Sequence, residues 1–102
     1  MKYIKTFEKH INLPEDGDYI LMNTYGTYDV KNFITSSIGR VVSVYPDDVV
    51  DYKIRVKYEN IPDNIELFFK DGTRIFDIEL LIAYGKTEEE LKIKIEANKF
   101  NI

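Results

Sequence analysis

Three cations alternate along one short stretch of this chain: Lys53, Arg55 and Lys57, separated by Ile54 and Val56. On an extended strand, alternate residues share a face and stand about 6.5–7 Å apart. Positive charge at that spacing suits the phosphates of an extended single-stranded nucleic acid, and Arg40 is a fourth candidate contact. The flanking Tyr52 and Tyr58 fall on the opposite parity, and Asp47, Asp48, Asp51, Glu59 and Asp63 surround the stripe. The competing reading is a solvated strand face made soluble by Lys and Arg; a cross-strand role, with these cations pairing to acids on a neighbouring strand, is also open. A second constellation is aromatic and acidic: Tyr25 and Tyr28 with Asp16, Asp18 and Asp29, and Tyr19 nearby. Tyr supplies contact area at low entropic cost, and carboxylates beside it suit a basic protein or peptide. The competing reading there is a set of rings covering the open end of a barrel.

Residue types for covalent or metal chemistry are sparse. His10 is the single histidine and there is no cysteine, so paired imidazoles, thiolate sites and disulfides are ruled out. No phosphate-cradling Gly-rich loop, nucleophile elbow or HExxH pattern occurs. Glu15-Asp16-Gly17-Asp18 places carboxylates around a glycine but lacks the alternating ligands and terminal Glu of a calcium loop. The expectation is a protein that is not an enzyme and needs no cofactor or metal.

The elements that position these residues follow from periodicity. Gly17-Asp18 leads into an apolar strand at Tyr19–Asn23, and Ile38-Gly39 into a second at Arg40–Tyr45, which stops at Pro46-Asp47-Asp48. The third, Tyr52–Tyr58, alternates without a break; slipping its register by one residue would bury three cations. Between the first two strands, Thr24–Asp29 reads as a loop or hairpin tip leading toward Phe33 and Ile34. Asp71-Gly72 between apolar runs predicts a hairpin joining Glu66–Phe69 to Arg74–Phe76. The alternative starts a short helix at Pro62 that ends before Asp71. A helical turn at Asp77–Glu79 and a last short strand within Leu80–Tyr84 complete the sheet. Thr87 followed by Glu90 is a capping box, so a helix is expected from Lys86 onward. Tyr3, Phe7 and Ile11, four residues apart, predict a short helix over Met1–Asn12, with an extended edge segment as the alternative.

At 102 residues, 44% hydrophobic and with fourteen aromatics, the chain can bury one core, and nothing divides it. It is expected to be a single domain: an N-terminal segment (1–12), a barrel (13–85) and a C-terminal helix and tail (86–102). The net charge of −4 disfavours gross polyanion binding. Neither a signal peptide nor a run long and apolar enough to span a membrane is recognisable, so a cytoplasmic protein is expected. Eleven Lys to three Arg, fourteen Ile and two Ala mark an AT-rich coding sequence.

The order Gly-Asp-Tyr-x-Leu, Ile-Gly-Arg-Val-Val-x-Val and Tyr-x-Ile-x-Val-x-Tyr resembles SH3-like small β-barrels of the KOW type over Gly17–Tyr84. The whole chain also resembles small phage-type proteins of AT-rich genomes. The resemblance implies a mainly β, α+β fold: an SH3-like five-stranded bent antiparallel sheet or barrel with a C-terminal helix. KOW-type modules often bind RNA or ribosomal and transcription proteins through basic loops, whereas the loops here are acidic. The leading expectation is therefore a non-enzymatic protein-binding module, such as a phage-encoded modulator or anti-defence inhibitor of a host protein, acting as monomer or homodimer. The alternatives are a nucleic-acid-binding barrel using Arg40, Lys53, Arg55 and Lys57, and a virion structural or assembly component.

Overall fold

A computed structural model of the chain describes residues 13–100, with side chains to 97. The expected helix over Met1–Asn12, and His10 with it, lie outside the described residues. Five strands form one antiparallel sheet: β1 (Tyr19–Met22), β2 (Gly39–Asp47), β3 (Asp51–Lys57), β4 (Thr73–Asp77) and β5 (Leu81–Gly85), ordered β4-β3-β2-β1-β5. Helix α1 (Tyr28–Ser36) follows β1, and helix α2 (Glu88–Phe100) follows β5. Two 3₁₀ turns, Asp63–Phe68 and Ile78–Leu80, flank β4. Strands outnumber helices, and the fold is mainly β with a terminal helix. The described pairings end at β4 on one side and β5 on the other.

Alternation along the strands divides the sheet into two faces. Ile20, Met22, Val41, Ile54, Val56, Tyr58 and Phe76 form the inner one, which Val30 and Ile34 of α1 and Ile65 of the first 3₁₀ turn cover. Tyr58 packs edge-to-face against Phe33, Phe69 and Phe76, with ring centroids 5.7–6.3 Å apart. Gly39 lies where β2 crosses this layer. A Cβ there would press into Val56 Cγ1 and stand 3.0 Å from the Lys57 carbonyl oxygen. On the opposite face, Leu21 pairs with Ala83, and both are buried beside α2, whose Leu91 is wholly inaccessible. Burying such a leucine contributes about 2 kcal/mol. The start of α2 is fastened by its cap: the Glu90 amide donates to Thr87 Oγ1 at 3.0 Å, and Glu90 Oε1 accepts from the Lys86 amide at 2.6 Å.

Two expected elements differ. The segment after β1 was expected to be a loop or hairpin tip, but from Tyr28 it is helix α1. Val30, Phe33 and Ile34 recur at three- and four-residue spacing, which puts them on one helical face against the sheet. The Asp71-Gly72 turn forms as expected, with φ of 53° and 77° and reciprocal backbone bonds between Lys70 and Thr73. The strand expected before it does not form. Residues Asp63–Phe68 make a 3₁₀ turn entered from Pro62, and β4 pairs with β3 instead.

Candidate protein-binding surface

Arg74 assembles the surface at the end of β1. It sits on β4 on the core-facing parity, opposite Val56. Its Nη1 donates to the Phe68 carbonyl at 3.0 Å and its Nη2 to Thr24 Oγ1 at 3.2 Å, while the guanidinium lies 5.8 Å from the Phe76 ring centroid. A planar fork can hold two such acceptors in fixed directions, which a lysine cannot. The clamp brings the Thr24-Tyr25 segment beside Phe68. A second link, from Asn64 Nδ2 to Asp29 Oδ2 at 3.2 Å, joins the first turn of α1 to the 3₁₀ turn.

The two links gather large side chains that the core does not use. Tyr25 is 69% exposed, Tyr28 80%, Leu67 98% and Phe68 48%. A 3₁₀ turn has three residues per revolution, so with Ile65 buried, Leu67 two positions on must face outward. Asp29, Asp63, Glu66 and Asp71, all exposed, neighbour these residues in sequence, as do the exposed Lys31 and Lys70. Aromatic side chains offer about 150–250 Å² apiece. The four residues therefore supply several hundred Å², a large part of the roughly 800 Å² that each partner buries in a standard interface.

The structure separates the remaining residues of this expected site. Asp16 and Asp18 precede β1 and Tyr25 and Tyr28 follow it, so the strand stands between the two groups. Asp16 is exposed in the turn, whereas Asp18 is buried. Asp18 accepts the Glu15 amide at 2.8 Å and pairs with Lys86 Nζ at 3.1 Å, and Glu15 also pairs with Lys86. Hydrogen bonds to Glu15, then Asp18, push the Lys86 ammonium above its usual value. This cluster staples the turn before β1 to the β5–α2 junction. Its burial makes Asp18 part of the scaffold.

The four cations share the outer face. Lys57 lies opposite Arg40 and Thr73, Arg55 opposite Ser43 and Ile75, and Lys53 opposite Tyr45 and Asp77. Arg40 stacks 4.1 Å from the Tyr19 ring centroid and donates its Nε–H to the Gly17 carbonyl. Arg55 Nη1 donates to Thr73 Oγ1 at 3.0 Å, and Lys53 Nζ lies 3.8 Å from Asp77 Oδ1. The cross-strand role left open for these cations therefore operates for Lys53. Sequence parity hid one tyrosine from this face. A bulge between Val41 and Ser43 shifts the alternation of β2, so Tyr45 lies on the same side as Arg40.

At the Arg40–Lys57 end, a cleft of about 530 Å³ is lined by Tyr19, Phe33, Arg40 and Lys57 together with Glu59 and Glu88. Its two cations and two carboxylates balance, so it favours neither sign of ligand. Among the described residues no three His, Cys, Asp or Glu side chains come together as a metal site, and no helix is long and apolar enough to cross a membrane. Comparison with protein-family models, curated proteins and solved structures gave no match.

Leu67 and Phe68 were missed at the sequence level because a hairpin strand through 66–69 would have turned half of them inward. Pro62 followed by Asp63-Asn64 was the available sign of a helical turn.

Proposed function

We propose that this chain is a non-enzymatic protein-binding module that engages its partner through Tyr25, Tyr28, Leu67 and Phe68. The observation that carries this reading is an almost wholly exposed leucine set among half-exposed and exposed aromatic rings. A monomeric surface gains nothing from such a patch, whereas a partner's apolar surface would bury it. Four carboxylates against two lysines favour a partner with a basic rim. The module would work in the cytoplasm as a modulator of that partner, a host protein if the chain is phage-encoded.

A photo-crosslinking residue at position 67, with position 49 as an exposed control, identifies the partner. The purified partner is then titrated calorimetrically with the wild type, Leu67→Asp and Tyr28→Ala. A central anchor is worth about 2 kcal/mol or more, so each variant should weaken binding roughly 30-fold. Neither should alter the melting temperature, because neither side chain is buried. Unchanged affinity in both variants refutes the reading. So does crosslinking only to other copies of this chain, which would mark an assembly surface.

A further inference from the structure

We propose that the outer face of β2, β3 and β4 is a platform for a short segment of single-stranded nucleic acid. The face is built from three cross-strand rows: Arg40–Lys57–Thr73, Ser43–Arg55–Ile75 and Tyr45–Lys53–Asp77. Rows are about 6.5–7 Å apart along the strands and neighbours within a row about 5 Å apart. Within these rows stand four cations and one carboxylate, Asp77, which lies beside Lys53, while Glu59 and Glu88 border the Arg40–Lys57 end. Counted over the rows alone, cations exceed carboxylates on a chain whose net charge is −4, and a narrow run of phosphates that stays on the rows is their complement.

Stacking groups at the two ends of the grid's β2 edge select a single strand over a duplex. Tyr45 is half-buried in the third row, its ring on the same face as Lys53. At the other end of that edge the Arg40 guanidinium lies over Tyr19, its central carbon 4.1 Å from the ring centroid, and its Nε–H bond to the Gly17 carbonyl helps hold it there. A guanidinium held over a ring can itself stack on a base, as an aromatic ring does. Bases in a duplex have no open face to offer either end. Helix α2 covers the β1–β5 part of the same side, confining the platform to β2–β4. Asp47 and Asp51 at one end and Glu59 and Glu88 at the other bound it lengthwise. From Lys53 to Lys57 the grid runs about 13 Å, which limits the footprint to a few nucleotides.

This surface lies on the opposite side of the sheet from the Arg74 clamp, and the proposal stands independently of the protein-binding reading. The test is fluorescence anisotropy with a labelled ten-residue oligothymidylate, the matching oligouridylate and a duplex of equal length. With three or four phosphate contacts at a slope of about 0.7 each, affinity for the single strands should fall roughly 20- to 50-fold between 50 and 200 mM salt. Lys57→Glu, at an exposed position, should weaken binding and flatten that slope. Tyr45→Ala should weaken it about 5- to 150-fold with the slope unchanged, the range for losing one stacked base. Leu67→Asp should bind the oligonucleotides like the wild type. Near-ultraviolet circular dichroism confirms that each variant keeps its packing. Lack of salt-dependent binding at 20 mM salt overturns the proposal, as does equal affinity for the duplex. An intact affinity in folded Tyr45→Ala overturns the stacking platform.

Discussion

Tyr58 is a buried member of the aromatic cluster, and its hydroxyl has no hydrogen-bond partner among the described residues. The ring is needed there, since it touches Phe33, Phe69 and Phe76 edge-on. Replacing Tyr58 by Phe keeps the ring and removes an unpaired buried polar group, whose burial costs about 1–3 kcal/mol. The small void left by one oxygen returns a few tenths of a kcal/mol, at roughly 24 cal/mol per Å³. The net expectation is a stabilisation of about 1 kcal/mol at pH 7, or a rise in melting temperature of roughly 4–8 °C for a domain of this size. Alkali should widen the gap. Burial pushes the Tyr58 hydroxyl well above its usual value, with only partial relief from Arg74. The unfolded chain therefore ionises first, near pH 10, and binds fewer protons than the folded one. Stability from this group is complete below pH 10 and falls by about 1.4 kcal/mol for each pH unit above it. Urea denaturation of wild type and Tyr58→Phe at pH 7, 9, 10 and 11 reads both effects, and the difference between the proteins removes the contributions of the other tyrosines. A variant less stable than the wild type at pH 7, or a difference that does not grow above pH 10, would refute the reasoning.

Three other substitutions probe the scaffold. Gly39→Ala forces a methyl group against Val56 and should destabilise by about 1–3 kcal/mol, the usual cost of overpacking; a melting temperature matching the wild type would show that the layer yields. Thr87→Ala removes the acceptor for the Glu90 amide and should cost about 1 kcal/mol, measured by denaturant titration, with helical circular dichroism lost first from α2. Asp47 accepts the amides of Val49 and Val50 at 3.0 and 3.2 Å, which hold its carboxyl below the usual value. Its contribution is thus present above about pH 4 and fades as pH falls through the lowered value. Asp47→Asn should be less stable than the wild type at pH 6, and the two should converge in acid; a constant difference down to pH 2 would contradict the assignment.

Local chemistry and periodicity determined much of this protein. The alternation of Tyr52–Tyr58 specified which side of β3 meets the core, because burying Lys53, Arg55 and Lys57 would be prohibitive. The Asp-Gly pair specified a turn with positive φ at both centres, and Thr87 with Glu90 specified where the last helix begins. Pairing across strands and packing between elements are set by contacts distant in sequence, and those the structure alone decided. Helix α1 was written as Val30, Phe33 and Ile34, yet the polar, Gly-containing stretch before it reads equally well as loop until the sheet offers a face to cover. The bulge after Val41 moved Tyr45 onto the cation face, a change of parity that alternation within one strand does not reveal. Arg74 drew Thr24 and Phe68 together across fifty and six residues, creating an exposed apolar surface from segments that look unrelated in sequence. Asp18, grouped with Tyr25 and Tyr28 by proximity along the chain, was instead turned inward to Lys86. Residue types and spacing determined which groups could bind or pair. Only the register of the strands and the clamp of one arginine decided which of them share a surface, because side chains on different elements meet through tertiary packing.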